Sequence, residues 1–117
     1  MIFRKNNKLK FGKKYFVNNI KCEPLYYSKD KEVLMLREYD GNLSFIFGDF
    51  KVQNDKIVCT NKVSYTISEK EMLDCINSNL AEDKSVVTVE RVVNAIQNKY
   101  YKIPTTIARV IAEYYTM

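Results

Sequence analysis

Between Tyr15 and Ile67 the apolar residues come in short clusters broken by polar and turn-forming residues, and from Ser68 onward the same residue types spread out to a helical spacing. Period-2 and short continuous apolar runs read as strands. They are Tyr15-Phe16-Val17 with Ile20, Pro24 to Tyr27, Glu32 to Tyr39, Leu43 to Phe50, Ile57 to Thr60, and Val63 to Ile67. Val33-Leu34-Met35-Leu36 is apolar at four consecutive positions, the pattern of a strand covered on both faces. Asp40-Gly41 between two apolar stretches predicts a tight hairpin in which both turn positions take positive φ. Val63, Tyr65 and Ile67 fall on one side of the last strand. Residues 15–67 therefore read as an antiparallel meander of about five or six strands that can curl into a small half-barrel.

The period changes at Ser68-Glu69-Lys70-Glu71, a capping box that starts a helix running to about Leu80, with Met72, Leu73, Ile76 and Leu80 on one face. Thr88 caps a second helix, in which Val89, Val92, Val93, Ile96 and Tyr100 repeat at i, i+3, i+4 and i+7. Ile103 precedes Pro104 and so leaves helical geometry; Pro104 then opens a last helix carrying Ile107, Val110, Ile111 and Tyr114. The predicted fold is a single α+β domain over residues 1–117. It comprises a basic arm (about 1–14), a β-rich part (about 15–67) and two or three helices packed on the sheet (about 68–116).

In amphipathic spacing, Val87 to Ile103 resembles the opening of the DNA-binding domain of bacterial replication initiators of the DnaA family. The likeness covers 17 of 117 residues and stops before that family's base-contacting signature, which this chain lacks. It implies a helix-turn-helix with the last helix as reader. That helix carries Arg109 alone among cations, with Glu113 nearby, and two helices packed on a sheet account for the same pattern.

Composition narrows the setting. A chain of 117 residues buries roughly two-thirds of its unfolded surface and needs no metal or disulfide staple. Three widely spaced cysteines, Cys22, Cys59 and Cys75, form neither a paired framework nor a metal clamp, so free thiols are expected. The opening residues carry charge but no apolar run of secretory-leader length, and no stretch is long enough to span a membrane; a cytoplasmic protein is expected. Fifteen Lys against four Arg, with 11 Asn, 10 Ile and nine Tyr, follow AT-rich codons, as in many viruses, phages, plasmids and low-GC bacteria.

Charge changes the picture most. The first 22 residues hold seven basic side chains and no acidic one, and the remaining 95 hold 12 Lys+Arg against 14 Asp+Glu, so a +7 segment precedes a −2 remainder. Such asymmetry points to a polyanionic partner. The candidate nucleic-acid-binding residues are Arg4, Lys5, Lys8, Lys10, Phe11, Lys13, Lys14, Tyr15 and Lys21, in which lysines meet phosphates and exposed rings stack on bases. Lysine lacks the planar fork that reads guanine, so sequence-tolerant backbone contacts are expected.

Catalysis has little to work with. Histidine is absent, which removes the commonest general base and most zinc sites, and the three glycines form no phosphate loop. No catalytic residue, metal or cofactor is assigned. One acidic cluster fits a metal-dependent nuclease: Glu38 and Asp40 at the end of one strand, with Asp49 and Lys51 on its neighbour. The expected function is a small non-catalytic nucleic-acid-binding protein, regulatory or replication-associated. The alternative is a protein–protein module or inhibitor of a host protein, docking through an exposed strand or through Tyr114 and Tyr115. A nuclease is third, and a homodimer is compatible with each.

Overall fold

The computed structural model describes residues 9–80 and 87–117. These form seven strands, β1 (Tyr15–Val17), β2 (Ile20–Ser28), β3 (Val33–Glu38), β4 (Asn42–Phe47), β5 (Phe50–Gln53), β6 (Lys56–Cys59) and β7 (Lys62–Ser68), followed by three helices. The strands make one open sheet in the order β5-β6-β1-β2-β3-β4-β7. The fold is α+β, as the change of period at Ser68 predicts. The strand count exceeds the expected five or six because Phe50–Gln53 is a separate strand.

Strands β1 to β4 form the expected meander, but the β5–β6 hairpin does not continue it. It crosses to the far edge and lies parallel to β1, with Phe16 opposite Lys56 and the Phe16 N–H donating to the Asp55 carbonyl at 2.7 Å. Tyr15, Val17, Cys22, Leu34, Leu36, Ile46, Phe50 and Ile57 belong to one buried cluster. On a flat sheet β5 would stand four strand spacings, about 19 Å, from β3. Sharing a core therefore requires the sheet to curl, and the Tyr27 and Phe50 rings meet edge-on at 6.2 Å across the curl.

Local chemistry explains the path. Val33, Leu34, Met35 and Leu36 are all buried, so β3 is covered on both faces, as its continuous apolar run implies. Pro24, which has no N–H to donate, lies where pairing with β1 has ended, and the register with β3 shifts between Pro24 and Tyr26. The β3–β4 hairpin forms where Asp40-Gly41 predicts, with a different turn. Its loop is three residues, Tyr39 to Gly41; the Gly41 N–H returns to the Glu38 carbonyl at 2.8 Å, and of the loop residues Gly41 alone takes positive φ (94°).

The chain divides at Ser68 into two compact units. In the helical unit, α1 (Glu69–Leu80) buries Met72, Cys75 and Ile76, while Leu73 is 40% exposed. Cys75, three residues after Met72, takes the place expected of Leu73, and its thiol donates to the Ala95 carbonyl of α2 (Val89–Lys99) at 3.5 Å. Thr88 caps α2 as predicted, its hydroxyl oxygen accepting from the Arg91 N–H at 3.2 Å. Pro104 stands just outside α3 (Thr105–Thr116), and Gln97 clamps the corner through the Ile103 carbonyl at 3.1 Å and the Thr105 hydroxyl at 3.2 Å. No helix among the described residues is long and apolar enough to cross a membrane.

A buried ion pair ties β3 to β7. Lys62 Nζ lies 2.6 Å from Glu38 Oε2, and the Ser64 hydroxyl donates to the same oxygen at 2.7 Å. Removing one partner of a buried pair costs roughly 3–5 kcal/mol because the other charge stays behind unpaired. Lys62→Ala is expected to lose about that much in urea unfolding, and Glu38→Leu with Lys62→Met to recover most of it. A loss under about 1 kcal/mol for Lys62→Ala would mean the pair is hydrated in solution.

Candidate functional site

Strand β1 is three residues long and alternates inward, outward, inward: Tyr15 and Val17 are buried and Phe16 is 39% exposed. The phase is set by the two-residue turn after it. Asn18 and Asn19 both take positive φ, 52° and 67°, the conformation asparagine tolerates best after glycine, and their turn pairs Val17 with Ile20. Phe16 must then stand opposite Lys21 on one side and Lys56 on the other.

The outward face of this end of the sheet carries a row across three strands, β6, β1 and β2, that ends on the loop after β3. Lys56, Phe16 and Lys21 are direct cross-strand neighbours, and the Tyr39 N–H donates to the Lys21 carbonyl at 2.9 Å, extending the row by one step. Tyr39 is 78% exposed. The row contains no acidic residue. Lys51 and Val58 face each other one step further along the β5–β6 hairpin, both exposed, while Phe50, Val52, Ile57 and Cys59 turn toward the core. The Lys21 ammonium sits over the Phe16 ring, 5.8 Å from its centroid. A cleft of about 170 Å³ opens beside Tyr39, bordered by Lys14, Lys21, Glu23 and Arg37, with Glu23 and Arg37 paired at 3.1 Å.

The segment before β1 folds back on the same end. The Lys10 N–H donates to the Tyr15 hydroxyl at 2.9 Å, and Lys13 Nζ donates to the Asn54 carbonyl at 3.4 Å while lying 5.0 Å from the Tyr15 ring centroid. Lys13 also borders an open depression of about 580 Å³ with Lys51, Val52, Gln53 and Asn54. Of the residues predicted from the sequence, Lys10, Phe11, Lys13, Lys14 and Lys21 are exposed. Tyr15 is a correction: its ring is 1% exposed and belongs to the core, so it presents no face to a base. Arg4, Lys5 and Lys8 lie outside the described residues. Phe16, interleaved with the basic residues in the sequence, is exposed as well, and Lys51, Lys56 and Tyr39 join it through strand order, which brings together segments distant in sequence.

The acidic cluster does not assemble. Glu38 is buried against Lys62, and Asp40 accepts hydrogen bonds from the Asn42 N–H at 3.1 Å and its side-chain amide at 3.3 Å, closing the turn. Asp49 is at the other end of β3 and β4, the length of a six-residue strand away, roughly 17 Å. There, burial first and then Glu32 and Asp49 push the Tyr27 phenol pKa up. Among the described residues no group of His, Cys, Asp and Glu could hold a metal ion. In the helical unit Arg109, the lone cation of α3, is paired with Glu90 at 2.6 Å, and Tyr114 and Tyr115 are half-buried against each other at 4.9 Å.

Comparison with protein-family models, curated proteins and solved structures finds no match to this chain.

Cys22 faces inward directly behind Lys21, and burial pushes its thiol up to about 11, outweighing the opposing effect of Lys62. Its thiolate fraction at pH 8 is then about a hundredfold below that of a thiol at 9.0. Iodoacetamide at pH 8, followed by peptide mass spectrometry, should label Cys22 in the native protein at least about fiftyfold more slowly than in guanidinium. Equal rates would place Cys22 at the surface and reverse the phase of β2.

Proposed function

We propose that this protein binds nucleic acid through the β5-β6-β1-β2 end of its sheet, by its outward face together with the basic segment before β1. Lys10, Lys14, Lys21, Lys51 and Lys56 meet phosphates, and the contact is indifferent to sequence. The single observation carrying this reading is the row Lys56–Phe16–Lys21, an exposed ring with a lysine in register on each neighbouring strand, the Lys21 ammonium over it, and no acid in the row. A single exposed ring is ordinary on a protein surface; it is the lysine on each neighbouring strand that suits this one to a polyanion carrying aromatic bases. The scarcity of arginine supports phosphate attraction over base reading, since lysine acts as a point charge. Residue usage that follows AT-rich codons fits a virus, phage, plasmid or low-GC bacterium as the source, and the role proposed there is regulatory or replication-associated.

Counterion release gives the test. Five engaged lysines imply a log–log salt slope of about −3.5 on single strands, a loss of roughly a hundredfold in affinity between 50 and 200 mM salt. In anisotropy titrations Lys21→Gln with Lys56→Gln should flatten the slope by about 1.4. An unchanged slope would remove the row from the interface. No binding to DNA or RNA at 50 mM salt would overturn the function and favour a protein partner.

A further inference from the structure

We infer that Phe16 and Tyr39 form a two-ring stacking platform that selects single-stranded nucleic acid by its unpaired bases. This inference rests on the nucleic-acid reading of the same face and goes further by naming the strand class and the residues that choose it. Neighbouring strands are about 4.8 Å apart, so the row Lys56–Phe16–Lys21–Tyr39 alternates charge and ring, and its two ring-bearing positions are about 9.6 Å apart with Lys21 between them. A chain laid across the strands meets a ring and a cation in turn, the combination that holds single strands, in which bases stack on aromatics while the backbone follows positive charge.

Neither ring contributes to the buried core. Phe16 is the outward residue of β1, and Tyr39 occupies the first position of the hairpin loop, where a small polar residue would close the turn equally well. An exposed phenyl ring gains little from water, and here it is flanked by the Lys21 ammonium at 5.8 Å. A base that takes the ammonium's place over the ring leaves that charge free for the adjoining phosphate. The acidic residues closest in sequence to the row's ring at Tyr39 are engaged elsewhere: Glu38 with Lys62, and Asp40 within the turn. A duplex keeps its bases stacked internally and offers this face phosphates alone, so the rings have nothing to bind on it.

The test separates bases from phosphates. Anisotropy at 50 mM salt compares a mixed-sequence single-stranded DNA 12-mer, an abasic 12-mer with the same phosphates, and a 12-base-pair duplex, using wild type, Tyr39→Leu and Phe16→Leu. Wild type should prefer the base-bearing strand over the abasic one by at least about tenfold, and each substitution should cost that strand about 5- to 150-fold, the range for loss of one stacking ring. Binding to the abasic strand should be unchanged. Tyr39 is on an exposed loop, so its variant keeps the test valid should Phe16→Leu fail to fold. Equal affinity of wild type for the base-bearing and abasic strands would overturn the platform while leaving phosphate binding standing. Absence of binding to all three would overturn both.

Discussion

The phase of a three-residue strand governs the β-rich unit. Tyr15 and Val17 enter the core, Phe16 leaves it, and both neighbours of β1 take their register from that choice: β2 through the Asn18-Asn19 turn, and β6 through the Phe16–Lys56 bridge. Since side chains alternate with period two, a slip of one residue would send Phe16 inward and Tyr15 into solvent, and would place Cys22 where Lys21 now stands. Tyr15 makes such a slip costly. Its ring is buried beside Leu34, Leu36 and Phe50, and its hydroxyl accepts from the Lys10 N–H, so the core and the preceding segment anchor the same residue.

Curling the sheet divides its charge between two surfaces. The inner side holds the apolar cluster and the Glu38 carboxylate, compensated by Lys62 and Ser64, which joins β3 to the edge strand β7. The outer side at the opposite edge holds uncompensated lysines around exposed rings. The excess of positive charge near the front of the chain thus becomes a feature of the folded surface: Lys14 just before β1 and Lys21 on β2 carry part of it, and β5 and β6 add Lys51 and Lys56 from a part of the sequence with no net basic character.

Much of this was readable from residue pattern. The continuous apolar run at Val33–Leu36 announced a strand covered on both faces, and Thr88 announced the start of a helix; both rest on local chemistry that the fold leaves intact. The strand order was not readable. Attachment of β5–β6 to β1 rests on a single parallel register position between residues 40 apart, and no local period encodes it. Tyr15-Phe16-Val17 is apolar throughout, so nothing in those three residues reveals which side each takes, and interleaving with lysines marks the buried Tyr15 and the exposed Phe16 alike. Glu38, Asp40, Asp49 and Lys51 lie close in sequence around a hairpin, which suggests a cluster the fold does not make. An antiparallel pair puts the start of one strand beside the end of the other, which carries Asp49 to the far end from Glu38.

The claim that the outward row is where nucleic acid binds can be tested residue by residue. Amide chemical shifts of ¹⁵N-labelled protein, followed while a short single-stranded oligonucleotide is titrated in, should move at Phe16, Lys21, Tyr39, Lys51 and Lys56. Those of Leu34, Leu36 and Ile46, on the inner side, should stay in place. Shifts confined to residues 89–116, with the row unmoved, would contradict the account.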